Sequence, residues 1–481
     1  MNECVLVVDI GTSKVHTNLM DLKEGKTLLS KTVPFNWYHP KEGWSEIDVL
    51  SEWEAAQNAV EAMMIDSRNK YEIIALAFSQ IGSGLLLLDK DGNPVGNMIL
   101  AMDGRAIQEG RQIFEGIGGK NDAYMIYGYG DYGGMIPTAK VLWLKKNRPK
   151  DFEKAVIIGN IQQFFNWKLG FEPITDRTIA SGGGFFDTEN ETWDETLCNF
   201  IGFPVEKLGR EPLQADTVLG KIKKFGRVDL GKEVPVILGT HDCSSGLIGL
   251  GCIPGSDAVL GNVTGTYDHI GCLLNDFETA KKASPLLICG PIKDSYAVLG
   301  ATVSGPNLDW FIKTFYPDEG LAAINRLFDL NPLDGLNKVF LTKDINSGDG
   351  TIRGINLTTT SGDLFKCIIE GLTFPLVSTV KGFEQQNGRK YGCLRIGGGS
   401  AKSDKWSQLR ADIFDIRVEK VANIEISSMG AVILAAVALG LYPDYPSAMK
   451  SLISVAKVFE PNHEITKRYE ERYLEYLERQ K

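Results

Sequence analysis

The chain has 481 residues, is 43% hydrophobic and carries a formal net charge of -10, so it outgrows one ordinary core: two domains are expected and three are allowed. With no basic block to supply phosphate contacts, non-specific nucleic-acid binding is excluded as an expected role. Eight cysteines without CxxC spacing argue against a disulfide framework or a thiolate metal site, and with no leader-like segment and no membrane-spanning apolar run a cytoplasmic protein is expected.

Residues 4–8, CVLVV, read as a buried strand that runs into Asp9, Ile10, Gly11, Thr12 and Ser13, with a second apolar run around 15–22. Strand, tight acidic and hydroxyl-bearing turn, strand is a hairpin whose loop can hold a phosphate and whose Asp can hold a metal-bound water. It lacks the GKT or GKS ending of a Walker A loop and the GxGxxG of a dinucleotide fingerprint. An aromatic, acidic loop at 33–48 leads to a helix through about 66, and 73–78, IIALAF, is a further buried strand that feeds the small-residue turn SQIGSG, with Gly82 and Ser83. A turn at 89–92 precedes the strand-like NMILAM, after which Asp103 and Arg105 stand two positions apart. On extended backbone they point the same way, either toward a sugar or into a local salt bridge. The stretch 124–134 is Gly- and Tyr-rich and reads as a loop, and Pro137 starts a helix carrying Lys140, Trp143 and Leu144. The run 174–194, with Asp176, Ser181 and three consecutive glycines, suits structural use better than a nucleophile elbow or a metal site.

The stretch 236–272 organises the rest. An apolar strand runs into Thr240, His241 and Asp242; a helix of small residues follows, and a second strand, 257–261, leads to the turn around Thr264, Gly265 and Thr266. A carboxylate and a glycine-hydroxyl turn thereby fall at the ends of neighbouring strands, where open α/β sheets bind ligands, and a small-residue turn lets backbone N–H groups converge on an anion. The plainer alternative has Asp242 capping its helix and Thr266 starting a strand. Strands at 285–290 and 295–301 precede a helix entered through Gly305. A long helix spans about 361–387, and 393–412 reads as strand, three glycines (397–399), Ser400 and helix. Backbone left bare by those glycines can lie flat against an adenine or phosphate. The apolar helix 426–442 is expected to close the second domain, and a charged helical tail from 461 docks through Tyr469, Tyr473 and Tyr476.

DIGTS at 9–13, MDGRA at 102–106, MIPTAKVLWLKKN at 135–147, GTHDCSSGLIGLGC at 239–252, VTGT at 263–266, the Gly305 helix entry and IGGGSAKSDKWSQLRAD at 396–412 together resemble the FGGY carbohydrate kinase family, relatives of xylulokinase, gluconokinase and glycerol kinase within the actin-like ATPase superfamily. DIGTS and VTGT are weak singly; the phrases at 135–147 and 396–412 are specific. The resemblance covers nearly the whole chain. It implies an α/β fold of two ribonuclease-H-like domains, here 1–245 and 246–481, with a catalytic cleft between them, the sugar held mostly by the first and ATP mostly by the second. By the same resemblance Asp242 is the general base, Asp9 helps organise Mg2+, and Thr12, Ser13, Gly265 and Thr266 lie near the phosphates. Gly305, Gly398, Gly399 and Ser400 fall on the nucleotide side, while Gly82, Ser83, Asp103 and Arg105 join Asp242 on the acceptor side. The implied partners are a small carbohydrate and ATP, with no nucleic acid or membrane; a homodimer is allowed.

Two departures bear on substrate. Xylulokinases usually carry Met-His, and glycerol kinases Arg-Glu, after the strand at 73–78, where this chain has Gly82 and Ser83; Ala101 stands where many relatives place Trp. A ketopentose, pentitol or sugar acid stays open, and glycerol is disfavoured. An actin-like ATPase without a sugar, or a catalytically silent sugar-binding protein, are the competing classes; the first has no use for Asp103 with Arg105, and the second is expected to lose Asp242.

Overall fold

The computed structural model describes residues 2–116, 136–255, 259–265, 267–283, 286–320, 322–345 and 350–480. The loop expected at 124–134, Asp257 and Thr266 lie outside the described residues.

A six-stranded sheet has the order Val218–Phe225, Val228–His241, Tyr71–Gln80, Asn2–Ile10, Lys14–Asp21, Thr27–Pro34. The central strand runs parallel to Tyr71–Gln80, which runs parallel to Val228–His241; the outer pairs are antiparallel. Cys4, Val5, Leu6, Val7 and Val8 have no exposed surface, as a parallel strand covered on both faces requires. One face packs a core that includes Ala56, Ala59 and Val60 of the helix Val49–Ser67 and Phe164 and Phe165 of Ile161–Lys168. The other packs Ile433, Leu434 and Ala436 of the helix Ile426–Ala438.

Gly239 sets the end of the sheet. Its φ is +76° and a Cβ there would lie 2.1 Å from the Phe78 carbonyl oxygen, while the pairing to Tyr71–Gln80 shifts register between Ile237 and Thr240. A bulge that only glycine accommodates re-aims the last residues of the strand, Thr240 and His241.

A second sheet has seven strands in the order Leu286–Cys289, Tyr296–Val303, Tyr267–Leu274, Val259–Thr264, Cys393–Gly398, Arg417–Val421, Val455–Phe459. Its strands Val259–Thr264 and Cys393–Gly398 are parallel, so the turns that follow Thr264 and Gly398 lie at the same end.

The chain divides into two compact units, Met1–Gly255 with Leu273–Val298 and Glu425–Ile453, and Ser256–Cys272 with Leu299–Ile424 and Ser454–Lys481. The helix expected to close the second domain therefore clusters with the first unit. The cause is a close helix crossing: a Cβ on Gly430 would sit 1.8 Å from the Ser245 carbonyl oxygen, and one on Gly249 2.0 Å from that of Ile426. Small residues bring Ile426–Ala438 onto Asp242–Gly249, and the Ser245 hydroxyl donates to the Ser427 carbonyl at 2.7 Å. In the second unit the tail helix His463–Arg479 docks as expected, with Tyr469, Tyr473 and Tyr476 buried and Arg472 paired to the buried Glu370.

Candidate active site

Asp9, Ser79 and Thr240 occupy one row across three adjacent strands, Ser79 opposite Asp9 on one side and Thr240 on the other. Thr240 donates to Asp176 at 2.7 Å, and Asp176 caps the short helix Arg177–Gly182. That is the structural use expected of the 174–194 run. Burial raises the Asp9 carboxyl to about 7, the charge of Asp242 pushing the same way. Asp9 is followed by the hairpin turn, closed by the Gly11 N–H donating to the Lys14 carbonyl at 3.1 Å, which leaves Thr12 and Ser13 at the tip.

Asp242 opens the helix Asp242–Gly249, where the helix dipole favours negative charge. Its Oδ1 accepts the Cys243 backbone N–H at 2.7 Å and lies 3.1 Å from His241 Nε2. Its Oδ2 has no hydrogen-bond partner among the described residues. The carboxylate is thus anchored through one oxygen and open at the other, and its side chain is 38% exposed. The chain enters this point through the bulged strand and leaves it through the glycine-crossed helix, so both flanks of Asp242 are rigid.

Gly82 and Ser83 follow the strand Tyr71–Gln80. Ser83 adopts a φ of 56° and donates to the Gly182 carbonyl at 3.0 Å. Asp103 and Arg105 are engaged with each other. Asp103 Oδ1 accepts the Arg105 N–H at 3.0 Å and its Nε–H at 2.7 Å, while Oδ2 accepts Ser45 N–H and Arg105 Nη2–H, each at 2.6 Å. Four donors fill the lone-pair positions of a carboxylate, so Asp103 has none left for a sugar hydroxyl, and the local salt bridge is the arrangement present. Glu46 adds a further acceptor to Arg105 at 2.8 Å, and Trp44 stacks on the guanidinium, 3.8 Å from ring centroid to Cζ. Arg105 Nη1 is buried and has no hydrogen-bond partner among the described residues. The fully buried Lys140 donates to the Leu100 and Ala101 carbonyls at 2.6 and 3.1 Å, tying this turn to the helix Pro137–Asn147; burial lowers its ammonium to about 7. Breaking a buried ion pair leaves an uncompensated charge, so Arg105→Ala is expected to cost about 3–5 kcal/mol of stability. A thermal melt within a degree or two of the parent would contradict the structural role.

In the second unit Thr264 joins two of the motifs. Its hydroxyl donates to the Gly397 carbonyl at 2.8 Å and accepts the Ser400 N–H at 3.0 Å, and its carbonyl accepts the Gly399 N–H at 3.1 Å. Gly265 and Gly398–Ser400 are thereby gathered at one sheet end; Thr266 lies outside the described residues. Gly398 has a φ of +88° and a Cβ there would meet the Thr264 carbonyl oxygen at 2.1 Å, whereas a Cβ on Gly399 would have no atom of the described residues within 4 Å. Among the described residues the buried Ser400 hydroxyl has no hydrogen-bond partner. Gly305 opens the helix Gly305–Phe315, whose N-cap Ser304 makes no side-chain capping bond; no hydrogen bond among the described residues ties Gly305 to the Thr264 group.

Sequence reasoning gave no site role to Thr264, Glu46, Trp44, Ser79 or His241. His241 was signalled by its place directly before Asp242. Nothing in the local pattern marked Glu46 or Trp44.

The model of the N-terminal domain of the FGGY family of carbohydrate kinases matches residues 4–249, and that of the C-terminal domain residues 322–439. A xylulose kinase of Staphylococcus epidermidis is 27% identical over 99% of this chain and 96% of its own length. A glycerol kinase of Enterococcus casseliflavus is 25% identical over 95% of this chain and 92% of its own length. The crystal structure of gluconate kinase from Lactobacillus acidophilus superimposes with a TM-score of 0.85 at 23% identity, covering 99% of this chain and 97% of that one. Among the described residues no helix is long and apolar enough to cross a membrane.

Proposed function

Because the chain belongs to the FGGY family of carbohydrate kinases and is an ATP-dependent carbohydrate kinase, we propose that it phosphorylates a sugar, sugar alcohol or sugar acid of five or six carbons, with Asp242 as general base. The observation that carries the reading is the asymmetry of Asp242: Oδ1 is held by the Cys243 N–H, and Oδ2 is open to receive a proton. The acceptor hydroxyl gives its proton to Oδ2 as its oxygen forms a bond to the γ-phosphorus of ATP. The β–γ bridging P–O bond breaks, and ADP leaves with that electron pair. A hydroxyl is a weak nucleophile and the transferring group is highly charged, so positioning, a proton acceptor and charge neutralisation carry the catalysis.

Residues 1–245 take the acceptor in this reading and 246–481 the nucleotide. Thr12 and Ser13 at the hairpin tip, and Gly265 and Thr266, serve the phosphates. Gly398, Gly399 and Ser400 serve the nucleotide, supported by the unobstructed Gly399 and the unpartnered Ser400 hydroxyl; Gly305 opens a helix on the same side. Gly82 and Ser83 line the acceptor, and the Asp103–Arg105 pair holds the wall behind it.

Asp9 fits a role in holding Mg2+. A buried carboxyl whose proton is retained to about 7 beside a second carboxylate is an environment that a divalent cation relieves, and such a cation neutralises phosphate charge during transfer. Because the folded value is raised, Asp9 is protonated as the pH falls below about 7, and cation and proton then compete. The apparent Mg2+ requirement is expected to rise by about tenfold per pH unit below that point, and Asp9→Asn to abolish this pH dependence along with most activity. A requirement equal at pH 6 and pH 8 counts against Asp9.

Substrate class is tested by kcat/KM over ketopentoses, pentitols, aldonates and glycerol, with product mass recorded. Similarity to a xylulose kinase over nearly the whole chain supports a ketopentose among the best acceptors. Glycerol clearly ahead of every longer acceptor overturns the substrate reading and leaves the reaction class intact.

A further inference from the structure

His241 touches both the reacting carboxylate and the residue that follows it. Nε2 lies 3.1 Å from Asp242 Oδ1 and Nδ1 lies 3.0 Å from Cys243 Sγ, so that the three side chains form a closed cluster. A carboxylate oxygen only accepts, so Nε2 carries the hydrogen that faces it; in the neutral ring Nδ1 then offers a lone pair, to which the Cys243 thiol, 3.0 Å away, can give its hydrogen. Cys243 is 1% exposed, and burial followed by the Asp242 charge pushes its thiol well above the ordinary range, so it stays a donor. The order Sγ–H to Nδ1, Nε2–H to Oδ1 is consistent throughout.

The ring is also held from the other side. A Cβ built on Gly82 would lie 2.7 Å from His241 Cδ2 and 2.8 Å from Nε2. Gly82 has no left-handed φ, and the three atoms nearest to such a Cβ all belong to the imidazole. The absent side chain at 82 is what lets the ring lie against the strand end and reach Oδ1.

We propose that His241, its tautomer set by the Cys243 thiol and its place by the bare Gly82, is a positioning residue that pins Asp242 Oδ1 and turns Oδ2 toward the acceptor hydroxyl. This rests on the reading of Asp242 as the base. His241 acts through Asp242 and takes no proton from the substrate itself. Residues 82 and 241 are accordingly coupled, and side-chain bulk can be carried at one of them only.

The test compares His241→Leu, which keeps bulk without a donor, with His241→Gln, which restores an N–H at similar reach. Melting temperature, acceptor and ATP KM, and kcat are measured for each. His241→Leu is expected to lower kcat by about 10- to 100-fold with ATP KM unchanged, because a base displaced by an ångström loses its near-attack geometry; His241→Gln is expected to recover most of that loss. Gly82→Ala is expected to lower kcat several-fold more in the parent than in a His241→Gly background, the signature of a coupled pair. A His241→Leu enzyme with parental kcat overturns the inference, as does a His241→Gln enzyme no faster than His241→Leu when both melt like the parent. Asp242→Asn, measured alongside, separates the two levels. If it keeps turnover the base assignment itself falls; if it is inactive while His241→Leu is fully active, only the role given to His241 falls.

Discussion

Asp242→Asn is expected to lose turnover by a factor of about 10²–10⁴ while retaining ATP and acceptor binding. The substitution is nearly isosteric and keeps an oxygen for the Cys243 N–H, which Asp242 Oδ1 accepts at 2.7 Å, so the helix start should hold. What it removes is the basicity of the open oxygen. Because Asp242 is 38% exposed and sits in the first turn of a helix, the fold does not depend on its charge, and the melting temperature should move little. The helix behind it is more sensitive, since Gly249 and Gly430 meet carbonyl oxygens at 2.0 and 1.8 Å as Cβ positions. A folded Asp242→Asn enzyme turning over within a few-fold of the parent at saturating substrates removes Asp242 from the role of base.

Gly399→Val is expected to abolish measurable ATP affinity and leave the protein folded. Among the described residues no atom lies within 4 Å of a Cβ at this position and Gly399 is exposed, so the added side chain is tolerated by the fold and takes up space assigned above to the nucleotide. Gly398→Ala one residue earlier is the control. There a Cβ collides with the Thr264 carbonyl oxygen at 2.1 Å and the backbone has a φ of +88°, so the change should destabilise the strand end before any ligand is added. Equilibrium ATP binding and thermal melts on both variants give opposite patterns under this account. Unchanged nucleotide affinity in a folded Gly399→Val protein removes the glycine run from the ATP wall.

The legible parts of the sequence were those in which local chemistry decides the outcome. The CVLVV and IIALAF runs are apolar on both faces, and both became central strands of the first sheet. Pro137 started its helix, and the glycine and hydroxyl punctuation of DIGTS, VTGT and GGGS marked real strand ends. Partners distant in the chain were not legible. Arg105 binds Glu46 across 59 positions and stacks on Trp44, and no periodicity links an aromatic loop to a later turn. In VTGT attention falls on the glycine and the last threonine, yet Thr264 is the residue bonded to Gly397, Gly399 and Ser400, because parallel pairing of its strand with Cys393–Gly398 is a tertiary fact. The helix Ile426–Ala438 announced burial through composition alone, and composition does not say against which sheet; the clearance that brings it onto Asp242–Gly249 appears only when backbones meet at Gly249 and Gly430.

Phosphoryl transfer is the central claim, and following the γ-phosphate itself tests it most directly. With γ-labelled ATP, Mg2+ and a ketopentose, pentitol or aldonate selected by kcat/KM, the account predicts label in a sugar phosphate, formed one for one with ADP and absent when Asp242 is Asn. Label that appears solely as inorganic phosphate, at a rate no acceptor changes, would contradict it.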